Sequence, residues 1–134
     1  MTVGILVVTH GQIGEQIIKT TCETLGNCPL PIHSISVPHN NHDLESVGHR
    51  AQAAFEALDQ GDGVLVLTDL FGSTPSNIAS KLLPGHHALM ISGLNLPMLI
   101  RIMNYSDLAL EELADKAVSA AKDGAILSPA THLM

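Results

Sequence analysis

One histidine stands where a strand-like pattern ends and a helical one begins. Gly4 to Val8 is a run of small and apolar residues, Thr9-His10-Gly11 breaks it, and Ile13, Ile17 and Ile18 then recur at helical spacing. A carboxylate holds an analogous place further on: Val64-Leu65-Val66-Leu67 ends at Thr68-Asp69, and Leu70-Phe71-Gly72-Ser73-Thr74-Pro75-Ser76-Asn77 leads into another helix. A third loop, Ser92-Gly93-Leu94-Asn95-Leu96, follows a third apolar run and precedes Pro97. A carboxylate on one nitrogen of an imidazole fixes the tautomer, leaves the other nitrogen as a nucleophile and stabilises the ring once that nitrogen is bonded. Helix starts at Gly11 and near Ser73-Thr74-Pro75 offer backbone N–H groups, and the hydroxyls of Thr9, Ser73 and Thr74 add uncharged donors. Such donors suit an incoming anion, above all phosphate. The chemistry these parts suggest is a histidine that takes up a phosphoryl group.

For His10 and Asp69 to meet, the elements before them must be parallel neighbours. The sequence predicts strands at Val3–Val8, Ile32–Val37, Val64–Leu67 and His87–Ile91. Helices are predicted at about Gly11–Leu25, with Gly26-Asn27 as the stop, and at about Asp43–Asp59. A third helix is capped by Thr74 and ended by Pro84-Gly85, a fourth starts at Pro97, and a fifth is capped by Ser106 or Asp107 and runs to about Lys122. Ala125-Ile126-Leu127 reads as a short last strand, and residues 128–134 as a tail. This order implies a single α/β domain, a doubly wound and mainly parallel sheet with helices on both faces. In such sheets ligands bind at the carboxyl ends of the strands, where all three loops fall.

Composition narrows the function classes. The 134 residues suit one domain, and 46% hydrophobic residues with only one Tyr, two Phe and no Trp give an aliphatic core. A net charge of −7 with six Lys and Arg argues against nucleic acid. No apolar run approaches the ~18 residues of a membrane span, and no signal-peptide pattern opens the chain. Cys22 and Cys28 are expected to be reduced structural thiols. Neither a phosphate-binding P-loop nor a dinucleotide-binding glycine pattern occurs, so no cofactor is expected, and the phosphoryl group would arrive on one protein and leave on another.

The stretches Ile5-Leu6-Val7-Val8-Thr9-His10-Gly11, Thr68 to Asn77, and Gly93-Leu94-Asn95-Leu96-Pro97-Met98-Leu99 resemble, in order, three signatures of the mannose-family enzyme IIA of the bacterial sugar phosphotransferase system. The resemblance covers residues 1–127. It implies that His10 is phosphorylated on Nε2, accepting from the phosphocarrier HPr and donating to an enzyme IIB on a separate chain. It implies that Asp69 pairs with the other ring nitrogen, and that Ser73 or Thr74 contacts the phosphoryl group. Gly72-Ser73-Thr74-Pro75 stands where the family often has Gly-Gly-Ser-Pro, which keeps both hydroxyls as candidates. Thr9, Gly11 and Gly72 would line the phosphoryl site, with Phe71, Gly93 and Asn95 shaping the loops. The family's cytoplasmic homodimers, often with an exchanged C-terminal strand, make Ala125–Leu127 the candidate for exchange. Any association with a membrane transporter would be peripheral, without insertion.

Simpler roles compete for several of these residues. Asp69, Ser73 and Thr74 can act as helix caps, Asn95 can shape the turn before Pro97, and Gly93 can serve backbone freedom alone. The stretch His39-Asn40-Asn41-His42-Asp43 has metal-ligand residue types but lacks a helical i, i+4 pair or a thiolate, so a solvated loop is expected and no metal site. His33, His49, His86, His87 and His132 read as surface residues, and Met90, Met98 and Met103 as core or interface packing. A Ser73-His10-Asp69 hydrolase is disfavoured because Pro75 breaks the Gly-x-Ser-x-Gly elbow. Two alternatives to transport are a regulatory module read out by His10 phosphorylation and the phosphoryl-transfer subunit of a dihydroxyacetone kinase.

Overall fold

The computed structural model describes residues 2–40 and 43–130. His42, His132 and the end of the tail, assigned above to loop and surface, lie outside the described residues. Four strands, β1 (Gly4–His10), β2 (Ile32–Val37), β3 (Val64–Thr68) and β4 (Ala88–Ser92), form one sheet in the order β2-β1-β3-β4. Every pairing is parallel. Among the described residues there are five helices: α1 (Ile13–Leu25), α2 (Leu44–Leu58), α3 (Thr74–Ser80), α4 (Leu96–Asn104) and α5 (Leu110–Asp123). The expected doubly wound architecture is therefore observed.

Strand alternation divides the core in two. Ile5, Val7, Leu65 and Leu67 face one layer, with Met98, Leu99 and Ile102 of α4, Leu110 and Leu113 of α5, and Ile17 and Ile18 of α1. Leu6, Val8, Val64 and Val66 face the other, with Val47, Ala51 and Phe55 of α2 and Ala79 of α3. Both faces of β1 and β3 are sealed, which is why these strands read as continuous apolar runs rather than alternating ones. From β1 the chain leaves into α1 on one face; from β3 it leaves into α3 on the other. The crevice between the carboxyl ends of β1 and β3 is thus the topological switch point of the sheet.

Several boundaries differ from the sequence reading. Helix α1 starts at Ile13, not Gly11, with Gln12 at its N-cap. Ser73, not Thr74, occupies the N-cap position of α3. Helix α5 is preceded by Ala109, so Ser106 and Asp107 belong to the turn after α4 instead of capping α5. Ala125–Leu127 forms no strand, and Ile126 and Leu127 are 78% and 96% exposed. The expectation of reduced thiols is also corrected. Cys22 and Cys28 form a disulfide, their Cα atoms 5.2 Å apart, because the left-handed turn at Gly26 folds the end of α1 back on itself. Of the histidines assigned to the surface, His86 lies edge-on to Phe55, and His87 bonds Glu111 at 2.9 Å. That hydrogen bond holds the Glu111 carboxyl below its ordinary range.

Asn95 has a structural task. Its Oδ1 accepts from the Met98 N–H at 3.0 Å, capping α4, and its Nδ2 donates to the Ala121 carbonyl of α5 at 3.1 Å. Asn95→Ala removes both bonds and is expected to lower stability by about 1–2 kcal/mol, read as a shift of the denaturant midpoint at unchanged slope.

Candidate functional site

The register of β1 on β3 decides which side chains meet. Val8 pairs with Thr68, so both strands run off the sheet at the same level, one into His10 and the other into Asp69. The Asp69 carboxylate then bridges to β1 through a single oxygen. Oδ2 accepts from the backbone N–H of His10 at 3.1 Å and lies 2.9 Å from the His10 Nδ1. Because the backbone donor and the ring nitrogen share this oxygen, the carboxylate fixes the position of the imidazole as well as its tautomer. With Nδ1–H donating to Asp69, the His10 Nε2 keeps its lone pair. The His10 side chain is 29% exposed and that of Asp69 12%, so the ring remains accessible while the carboxylate is largely shielded. The other carboxylate oxygen, Oδ1, is buried and has no hydrogen-bond partner among the described residues.

The neighbouring strand ends are tied in the same way. The Gly11 N–H donates to the Val37 carbonyl at 3.0 Å, and the Ser36 hydroxyl donates to the Gly11 carbonyl. Gly11 adopts a positive φ of 48°, where a side chain would be strained. Its N–H is therefore not the open donor expected from the sequence. Thr9 is 1% exposed, and its Oγ1 accepts from the Gly14 N–H at 2.8 Å, joining the end of β1 to the first turn of α1. On the far side the Gly93 and Leu94 N–H groups both reach the Thr68 carbonyl at 3.0 Å, and the Thr68 hydroxyl donates to Ser92 at 3.0 Å. Gly93 and Asn95 thus brace the β3–β4 end and α4, without a hydrogen bond to His10.

The loop after Asp69 carries the remaining candidates. Leu70 and Phe71 are 59% and 80% exposed, and Gly72 has a φ of 80°. The Ser73 hydroxyl donates to the Leu70 carbonyl at 2.6 Å, closing the turn that precedes α3. The Thr74 hydroxyl makes no hydrogen bond among the described residues, so of the two candidates it is the uncommitted one. Among the described residues no three His, Cys, Asp or Glu side chains come together as a metal site.

One residue at the site was assigned no role from the sequence. The ring of His39 lies beside that of His10, centroids 6.0 Å apart and planes inclined by 19°. A Cβ built on Gly11 would lie 3.9 Å from His39 Nε2, an ordinary contact that places this nitrogen next to the reactive loop. The one sequence-level signal for it is parallel pairing. His10 sits opposite Val37, so the chain leaving β2 two residues later must pass the same edge.

Comparison with known proteins gives the family of the chain. Residues 4–118 match the family model EIIA-man, described as the PTS system fructose IIA component. The PTS system mannose-specific EIIAB component of Escherichia coli (strain K12) is 34% identical over 127 residues, which cover 92% of this chain and 39% of that protein. The chain therefore spans well under half the length of the curated relatives it matches. Among solved structures, the PTS IIA protein associated with the fucose utilization operon of Streptococcus pneumoniae superposes with a TM-score of 0.80 at 25% identity, covering 95% of this chain and 93% of that one. The phosphotransferase system component EIIA of Streptococcus agalactiae gives 0.78 at 25% identity, covering 94% and 96%.

Asp69→Ala tests the orienting role of the carboxylate. It removes the one oxygen that both the His10 backbone N–H and Nδ1 reach. The expected outcome is a neutral His10 ring shared between the Nδ1–H and Nε2–H tautomers in ¹⁵N NMR, in place of Nδ1–H alone, with the fold retained by circular dichroism.

Proposed function

Because the chain belongs to the EIIA-man family of PTS IIA components, we propose that it is a phosphoryl carrier in which His10 Nε2 accepts a phosphoryl group from phospho-HPr and passes it to an enzyme IIB on a separate chain. The observation that carries this reading is the 2.9 Å contact of His10 Nδ1 with Asp69. In the neutral ring it assigns the proton to Nδ1 and turns Nε2 from the carboxylate. In the forward step the Nε2 lone pair attacks phosphorus and a P–N bond forms. The P–N bond of the donor breaks, and its electron pair returns to the donor nitrogen. The His10 Nδ1 proton stays in place, and the ring, now substituted on both nitrogens, carries positive charge beside the Asp69 carboxylate. Transfer to enzyme IIB reverses the sequence and regenerates the neutral imidazole. Catalysis here is positioning and charge compensation.

The Thr74 hydroxyl is the proposed phosphoryl contact, since that of Ser73 closes its own turn. The edge of the site is apolar. Ile13, just past Gly11, is 51% exposed, and Leu70 and Phe71, just past Asp69, are more so. Large apolar side chains around a reactive imidazole suit a protein partner that must be docked, discharged and released. The proposed exchange belongs to the cytoplasm, beside a membrane transporter, as the resemblance implies. No helix among the described residues is long and apolar enough to cross a membrane. For the homodimer, support comes from the exposed Ile126 and Leu127 and from β4, which among the described residues pairs with β3 alone. An unpaired strand edge is a site for strand addition.

Incubation with phospho-HPr is expected to add the mass of one phosphoryl group in acid-labile form. His10→Ala should abolish the gain, and equal gain in the variant would remove the assignment. Phe71→Ala is expected to raise the KM for phospho-HPr by about tenfold, the loss of one buried aromatic anchor, while kcat changes much less in a rapid-quench assay.

A further inference from the structure

Phosphorylation would place close to two negative charges on His10 Nε2, yet the segments that follow the strands, residues 11–12, 38–43, 69–73 and 93–95, carry no Lys or Arg. The titratable groups in those segments are His39, His42, Asp43 and Asp69. Asp69 is an acid, and its bonds go to the backbone N–H and Nδ1 of His10, away from the reacting nitrogen. Of the described groups in these segments, His39 alone can carry positive charge; on the helices, Glu45, His49 and Lys81 line the groove between α2 and α3 that Thr74 also borders. The His39 ring stacks beside the acceptor ring at 6.0 Å. A tetrahedral phosphoryl group on Nε2 carries oxygens on both sides of the ring plane, so it presents oxygen toward a ring stacked alongside.

His39 is also held there. The chain that carries it leaves β2 where the Val37 carbonyl and the Ser36 hydroxyl are both bonded to Gly11. The two imidazoles therefore sit on one hydrogen-bonded frame, and Gly11, without a Cβ, adds no bulk where His39 Nε2 approaches.

We propose that His39 is a second imidazole of the phosphoryl site, which as an imidazolium donates a hydrogen bond to a phosphoryl oxygen on His10 and offsets its charge. The assignment rests on the reading of His10 as the phosphoryl acceptor. No further bond is made or broken. His39 takes up a solvent proton when His10 is phosphorylated and releases it when the group departs. Charge-assisted bonds of this kind are among the stronger ones a protein makes.

The test uses the full chain with phospho-HPr and follows the ring protons of both histidines by NMR, beside the equilibrium phosphoryl occupancy of His10. In the wild type, phosphorylation is expected to raise the titration midpoint of His39. His39→Ala is expected to lower the equilibrium occupancy by about tenfold, and His39→Gln, which keeps an N–H donor without charge, to recover part of it. Circular dichroism of both variants controls for folding, and His39 is an exposed loop residue. A phosphorylated wild type whose His39 midpoint does not move, with His39→Ala within twofold in occupancy, overturns the inference and leaves the His10 assignment standing. A wild type that takes up no phosphoryl group, or takes it up equally as His10→Ala, overturns both.

Discussion

A single carboxylate oxygen holds the candidate site together. Asp69 Oδ2 accepts from the backbone of His10 and from its ring, joining the ends of two strands that are 54 or more residues apart in the chain and adjacent in the sheet. Hydrogen bonds to a charged acceptor contribute about 1.5–3 kcal/mol each, enough to keep a partly exposed imidazole in one orientation against its rotamer freedom. The same carboxylate leaves its second oxygen buried without a partner among the described residues. An orphaned buried acceptor costs stability. In the proposed function the cost falls on the group that must hold a ring whose charge changes, the kind of place where native structures tolerate it.

The scaffold around this contact is asymmetric. One face of the sheet carries α1, α4 and α5, and the other α2 and α3. Helices leave β1 and β3 on opposite faces, and the gap between them opens over His10. The disulfide between Cys22 and Cys28 lies at the other end of α1, so it pins the scaffold without touching the chemistry.

Much of this was legible from residue pattern. The apolar runs ending at Thr9-His10 and Thr68-Asp69 require buried parallel strands, and parallel strands bring their following loops to one edge. What was not legible is which donors are already spent. The hydroxyls of Thr9 and Ser73 look alike in sequence, as do the N–H groups of any loop. Only the folded chain assigns Thr9 to the Gly14 N–H, Ser73 to the Leu70 carbonyl and the Gly11 N–H to Val37. His39 was read as a solvated loop residue because polar loops carry no periodicity, and its position follows from register, a property of two strands together. The cysteines show the same limit: whether two thiols six residues apart can meet depends on the left-handed turn at Gly26.

The pleat of β1 has a consequence for how this chain can vary. Thr9 and His10 point to opposite faces, one sealed against α1 and the other at the crevice, while Leu6 and Val8 fill one core and Val7 the other. Adding or deleting a single residue between Gly4 and His10 would turn over the side chains beyond it, exchanging the faces of the imidazole and of the Thr9 hydroxyl. The count of residues from the first paired position to His10 is therefore fixed by the architecture, while the connections at the amino ends of the strands are free to differ in length.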